Sequence, residues 1–178
     1  MDLLDYRYSK IGIVDKQIAN LGANCPIDLY CTYFMDQILA ALGKHTELKT
    51  TSFREGVLYL SERKLDVFFV TLNKSEKDYS PSTMYHDYSI NEELFHWQSQ
   101  SRTTAESKTG QRYINQKPKE DNVLFFVREY KEDTGLTAPY TCIGLADYMS
   151  HSDSAPISIV WKMREQIPGF LLEKTAKV

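Results

Sequence analysis

Two short runs, Tyr85-His86-Asp87-Tyr88 and Phe95-His96-Trp97-Gln98-Ser99-Gln100, gather side chains suited to holding a flat heteroaromatic ring. An extruded nucleobase presents two π faces and a hydrogen-bonding edge. Trp97 with Tyr85 or Tyr88 supplies the faces. A carboxylate such as Asp87 accepts from an exocyclic amino group, and Gln98 or a backbone N–H serves a ring acceptor. Ser99 completes the polar set. The same pattern also describes two adjacent strands whose rings are core and whose polar side chains meet water. Spacing leaves both arrangements open.

A second feature follows at once. Between Ser101 and Lys119 stand Arg102, Lys108, Arg112, Lys117 and Lys119, against Glu106 alone, in a chain whose formal net charge is −3. A local basic stripe of this kind follows a phosphate backbone or simply forms a solvated face. Arg102, Lys108, Thr109, Arg112 and Lys117 are the candidate backbone contacts, Thr109 through the start of the short helix expected there.

The elements that must position these residues are mostly strands. Gly56–Leu60 and Leu65–Leu72 are apolar or aromatic runs joined by Ser61-Glu62-Arg63-Lys64, which predicts a hairpin. Tyr85–Ile90, Leu94–Gln100, Val123–Tyr130, Tyr140–Met149 and Ile157–Arg164 follow. In the last, Ile157, Ile159, Trp161 and Met163 alternate with polar or smaller residues, the period of a half-buried strand. The clearest helix is Thr32 to Leu42, with Phe34, Ile38 and Leu42 on one stripe, Thr32 as cap and Gly43 as its left-handed end. Ser107 or Thr109 caps a short helix through Asn115, and Pro168 opens a closing one through Leu172. Strands outnumbering helices predict an α+β domain, a curved antiparallel β-barrel with flanking helices. Residues 1–24 read as an N-terminal connector or packed helix, and 25–178 as the recognition domain.

Composition bounds the rest. Among 178 residues, 42% are hydrophobic and 25% charged, and Tyr outnumbers Trp twelve to two, a globular make-up with many half-wet rings. No apolar run is long enough to span a bilayer, and Met1–Tyr6 lacks a secretion signal, which predicts a cytoplasmic chain without membrane contact. Cys25, Cys31 and Cys142 have neither the even count nor the spacing of a disulfide framework or zinc knuckle.

From Leu58 to Trp161 the sequence resembles the C-terminal domain of SauUSI-like, ATP-dependent type IV restriction enzymes, where it follows a phospholipase-D-like nuclease and a DEAD/DEAH helicase. The segments carrying the likeness run from Asp66 to Thr83, Tyr85 to Tyr88, Leu94 to Gln100, Thr109 to Ile114 and Leu124 to Lys131. The resemblance implies an SRA/PUA-like fold that flips 5-methylcytosine, or 5-hydroxymethylcytosine, out of duplex DNA. It implies as partners the methylated duplex and the motor and nuclease of the same parent chain, with no catalysis by this domain. In SRA domains an aromatic–acidic strand start is followed about a dozen residues later by a second aromatic and a polar residue. Tyr85-His86-Asp87-Tyr88 and Trp97-Gln98 keep that spacing, and Asp87 is preferred over Tyr88 for the acidic place because a carboxylate accepts strongly.

Two other readings compete. Glu129-Tyr130-Lys131 at the end of an apolar strand matches the E-x-K half of a PD-(D/E)xK nuclease, with Asp87 or Asp121 as metal partner. A protein-docking module within a helicase complex is the other. His45, His86, His96 and His151 show no ligand spacing, with His86 and His96 read as surface or pocket-rim residues, so no metal is expected. Neither a nucleophile elbow nor a Walker sequence is present, so no catalytic residue and no cofactor are expected.

Overall fold

The structure is a computed structural model that describes residues 18, 25–45, 53–73, 87–133 and 135–175. In chain order the elements are β1 (Thr32–Tyr33), α1 (Met35–Ala41), β2 (Val57–Leu60), a 3-10 turn (Ser61–Arg63), β3 (Leu65–Thr71), β4 (Tyr88–Ser89) and β5 (Leu94–Gln98). Then come α2 (Lys108–Ile114), β6 (Asn122–Arg128), β7 (Glu132–Asp133), β8 (Leu136–Thr137), β9 (Tyr140–Ser152), β10 (Ser158–Met163) and α3 (Gly169–Thr175).

One sheet of eight strands organises these elements in the order β2-β3-β6-β9-β10-β5-β4, with β1 also paired to β9. All its pairings are antiparallel except β3 with β6, which run parallel from Leu65 opposite Asn122 to Thr71 opposite Arg128. The sheet is open: β2 and β4 are its two ends and do not pair. The α+β class expected from the sequence holds, and the closed barrel does not. The physical reason lies in β3 and β6. Their apolar runs, Val67-Phe68-Phe69-Val70 and Val123-Leu124-Phe125-Phe126-Val127, are buried along their whole length. Such runs belong to strands covered on both faces.

Alternation splits those runs between two cores. Phe68, Val70, Val123, Phe125 and Val127 join Phe95, Trp97, Tyr113, Ile159 and Trp161 on one face. Val67, Phe69, Leu124 and Phe126 join Ile27, Ile38, Leu42 and Tyr140 on the other. The second core stops at β9: no residue of β10, β5 or β4 belongs to it. Strand β9 bridges the two regimes and carries a bulge between its pairings with Phe125 and Phe126. Gly144 sits there at φ +94, and a Cβ on it would lie 2.8 Å from Leu29 Cδ1. The bulge changes parity, so that Cys142 and Leu145 face one core and Ile143 and Ala146 the other.

Helix α1 is shorter than the sequence suggested. Thr32 is not its cap but pairs with Thr141 in the sheet, and Phe34 takes the cap position with its N–H donated to Gln37 Oε1 at 2.8 Å. Gly43 does end the helix left-handed, at φ +74. Within the expected strand Tyr85–Ile90, the described residues 87–90 form strand only at Tyr88–Ser89, and Tyr85 and His86 lie outside the described residues. So does the segment 1–24 apart from Ile18, which packs against the second core. Cys142 is buried, Cys25 and Cys31 are half-buried, and none is in a disulfide.

Candidate nucleic-acid interface

Strand β5 decides the geometry of the first candidate site. Along Leu94–Gln98 burial alternates, with Phe95 and Trp97 inside and Leu94, His96 and Gln98 half-exposed. Trp97 is 4% exposed. Its ring stacks on Phe68 with centroids 4.1 Å apart and meets the edge of Tyr113 at 5.4 Å. A base can reach its faces only by displacing core rings, so Trp97 is a packing residue and not the wall of a pocket. Ser99 is likewise withdrawn. It is fully buried, its Oγ accepts the Ile157 N–H at 2.8 Å and donates to the Gln100 carbonyl at 3.2 Å. This bond ties the end of β5 to the start of β10.

Of the other predicted pocket residues, Tyr88 and Gln98 lie on the opposite face from Phe95 and Trp97. Tyr88 is paired across from His96, and the two rings stack with centroids 4.7 Å apart and planes within 19°. Gln98 shares that face, and its Nε2 donates to Ser158 Oγ at 3.2 Å. Asp87, 8% exposed, accepts the backbone N–H of Gln98 through Oδ1 at 2.9 Å. Its carboxylate therefore pins the segment entering β4 to the end of β5. The sequence had placed His96 at a rim; the structure makes it the partner of Tyr88. Parity was the available signal, because residues two apart from Phe95 had to share its core face.

The basic stripe is carried by a connection and a helix. Ser107 Oγ accepts the Gly110 N–H at 3.0 Å and caps α2, as expected. Gly110 lets the helix press close: a Cβ there would stand 2.1 Å from the Thr104 carbonyl oxygen. Tyr113 of α2 enters the first core, so α2 lies on the face opposite Tyr88 and His96. The two predicted surfaces are thus not on one side of the sheet. Gln98 leads into the connection 99–107 between them, and Arg102 is exposed within it. Lys108 and Lys117 are exposed, and Thr109 is half-buried in the first turn.

Arg112 is the least free of the set. Its Nε and Nη2 donate to Asp66 Oδ2 and Oδ1 at 2.7 and 2.9 Å, and its guanidinium lies 3.9 Å over the Tyr59 ring. Asp66 is 1% exposed. Burial pushes its carboxyl upward, opposed by the hydrogen bonds and charge of Arg112. Burial also raises the Tyr113 phenol well above its ordinary value. Beside Arg112 opens a groove bordered by Tyr59, Lys64, Lys108 and Lys119. The sequence reading did not single out Tyr59, Lys64 or the Asp66 partner, since nothing periodic connects residues 46 positions apart.

The nuclease arrangement is not assembled. Asp121 precedes β6 and Glu129 follows it, and the seven residues of that strand separate them by roughly 26 Å. Asp87 enters β4, four strands across the sheet from β6, a separation of roughly 19 Å. No pair of these carboxylates can share a magnesium ion with Glu129. Among the described residues no helix is long and apolar enough to cross a membrane.

The fold is that of a mixed α+β domain on an open, mostly antiparallel sheet. The chain belongs to the family described as Domain of unknown function (DUF3427), which matches residues 27–174. No curated protein matches it. Among solved structures, the DNA recognition domain of the cytosine modification-dependent restriction endonuclease LpnPI is similar over 56% of this chain and 55% of that one, with 8% identity and a TM-score of 0.35. The chain spans about half the length of that structure, and a likeness of this size carries neither fold detail nor function across.

Proposed function

We propose that this domain reads modified DNA: it binds a duplex and takes 5-methylcytosine, flipped from the stack, against the open face of β4 and β5. The observation that carries the reading is the Tyr88–His96 stack beside Gln98, half-exposed on the face of β5 turned away from Phe95 and Trp97. A flipped base needs an aromatic surface and a hydrogen-bonding edge side by side, and this corner offers both. Tyr88 takes the stacking role first assigned to Trp97. Gln98 meets the base edge, and Asp87 acts by fixing Gln98 and, through its carboxylate, by accepting from the base amino group. Arg102, Lys108 and Lys117 contact phosphates of the same duplex as it passes over the end of the sheet at residues 99–107.

The resemblance of Leu58–Trp161 to the reader domain of type IV restriction enzymes supports the same reading and its setting: an SRA-like, non-catalytic module that directs a motor and a nuclease of the parent chain. The test is a titration with matched duplexes that differ in one methyl group. A methyl buried in a shaped site is worth about 1–3 kcal/mol, roughly 10- to 200-fold in affinity. Equal affinity for the two duplexes overturns the assignment to 5-methylcytosine, and cleavage in magnesium overturns the non-catalytic role.

A further inference from the structure

Arg112 is built more elaborately than a strut between helix and sheet requires. A guanidinium carries five N–H donors in a rigid fork, and Asp66 engages two of them from one side. The Tyr59 ring, 38% exposed on the end strand β2, fixes the plane from a second side. Arg112 borders a groove where Lys64 arrives from the turn after β2, Lys108 from α2 and Lys119 from the loop after it. Lys64 Nζ donates to the Lys119 carbonyl at 3.3 Å, which holds the two lysines' chain segments together. Among the described residues neither Lys108 nor Lys119 forms an ion pair with a carboxylate. Glu120 and Asp121 also border the groove, so the cations there are not a diffuse basic face but a few charges set among acids.

We infer that this groove binds a phosphate group of the nucleic-acid backbone, with Lys64, Lys108 and Lys119 as its ammonium contacts and Arg112 as a guanidinium held in place by Asp66 and Tyr59. The inference rests on the reading of the chain as a DNA-binding domain, and it shifts part of the phosphate contact from the stripe at 101–119 to a site that the fold assembles from three segments. Asp66 is here a positioning residue: it touches Arg112 and not the phosphate.

The experiment measures binding of an unmodified duplex by fluorescence anisotropy over a range of salt concentrations, for the unaltered chain, Lys64→Gln/Lys119→Gln and Asp66→Asn. Each lost phosphate contact lowers the salt slope by about one, so the double variant is expected to lose about two, with weaker binding at every salt concentration. Asp66→Asn discriminates positioning from bulk charge. Removing a negative charge strengthens binding to a polyanion if only net charge matters, whereas loss of the fixed guanidinium weakens it. Weaker binding is expected, with melting of each variant followed in parallel so that only folded protein is compared. A double variant with unchanged affinity and slope overturns the groove while leaving the DNA reading standing. A chain that binds no duplex at all sinks the DNA reading, and pyrophosphate then decides the groove. Amide chemical shifts at residues 59–64 and 108–112 that respond to pyrophosphate in the unaltered chain and not in the double variant retain a phosphate site, and their absence removes it.

Discussion

The two ends of the sheet are built by the same chain under opposite rules. At the β2-β3-β6 end both faces are roofed, and almost every side chain of β3 and β6 is committed to one core or the other. At the β10-β5-β4 end the described residues build a core on one face, and alternate residues of β5 stay half-exposed on the other. Where burial takes all positions, the sequence can specify little besides packing. Where it takes every second position, the others can carry polar and aromatic chemistry at small cost to stability. Tyr88, His96 and Gln98 occupy those positions.

The largest effects belong to the roofed end and to residues that face the first core from anywhere. Phe68 touches Trp97, Tyr113, Phe125 and Trp161. Phe68→Ala is expected to cost about 3–5 kcal/mol in chemical denaturation, and Trp97→Ala the same. A Trp97→Ala protein of native stability would dissolve the distinction between the two faces of β5.

Arg112→Ala comes next, because it leaves Asp66 buried without a counter-charge, a loss of about 3 kcal/mol at neutral pH. Its sign with pH follows from linkage. A carboxyl whose folded pKa is raised binds more protons folded than unfolded, so its penalty grows as pH rises through and above the ordinary carboxylate range and fades below it. Urea melts at about pH 7 and about pH 4.5 should therefore show the variant's deficit shrinking toward the acid end. A deficit that widens there would contradict the buried pairing.

Gly144→Ala tests the bulge where the two regimes meet. Its backbone at φ +94 and the nearby Leu29 methyl both resist a side chain, and about 1–3 kcal/mol of destabilisation is expected by thermal melting. An unaltered melting temperature would show that β9 can change parity without a glycine.

Much of this division was legible beforehand. The unbroken apolar runs at 67–70 and 123–127 were visible, as were the alternation of β10 and the Ser107 cap of α2. The barrel was drawn from the excess of strands over helices, whereas the sheet ends at β2 and β4 and carries a core on each face of β3 and β6. Trp97 was assigned to a pocket by ring type, when its parity with Phe95 marked it as core. The Asp66–Arg112 pair and the groove beside it were not legible, since they depend on how α2 is laid across β2 and β3. Tyr85 lies outside the described residues.

The half-exposed face of β4 and β5 gives the smallest expected effects on stability and the largest on recognition. Tyr88→Ala and His96→Ala should each shift stability by no more than about 1 kcal/mol, the scale of a half-exposed cross-strand pair. The most direct test of the account is the methyl preference of Tyr88→Ala, measured as the ratio of affinities for methylated and unmodified duplexes alongside its melting temperature. The account predicts near-native melting, a loss of about 1–3 kcal/mol on methylated DNA and a ratio falling to one. A folded Tyr88→Ala protein that keeps the full preference for methylated DNA would contradict it.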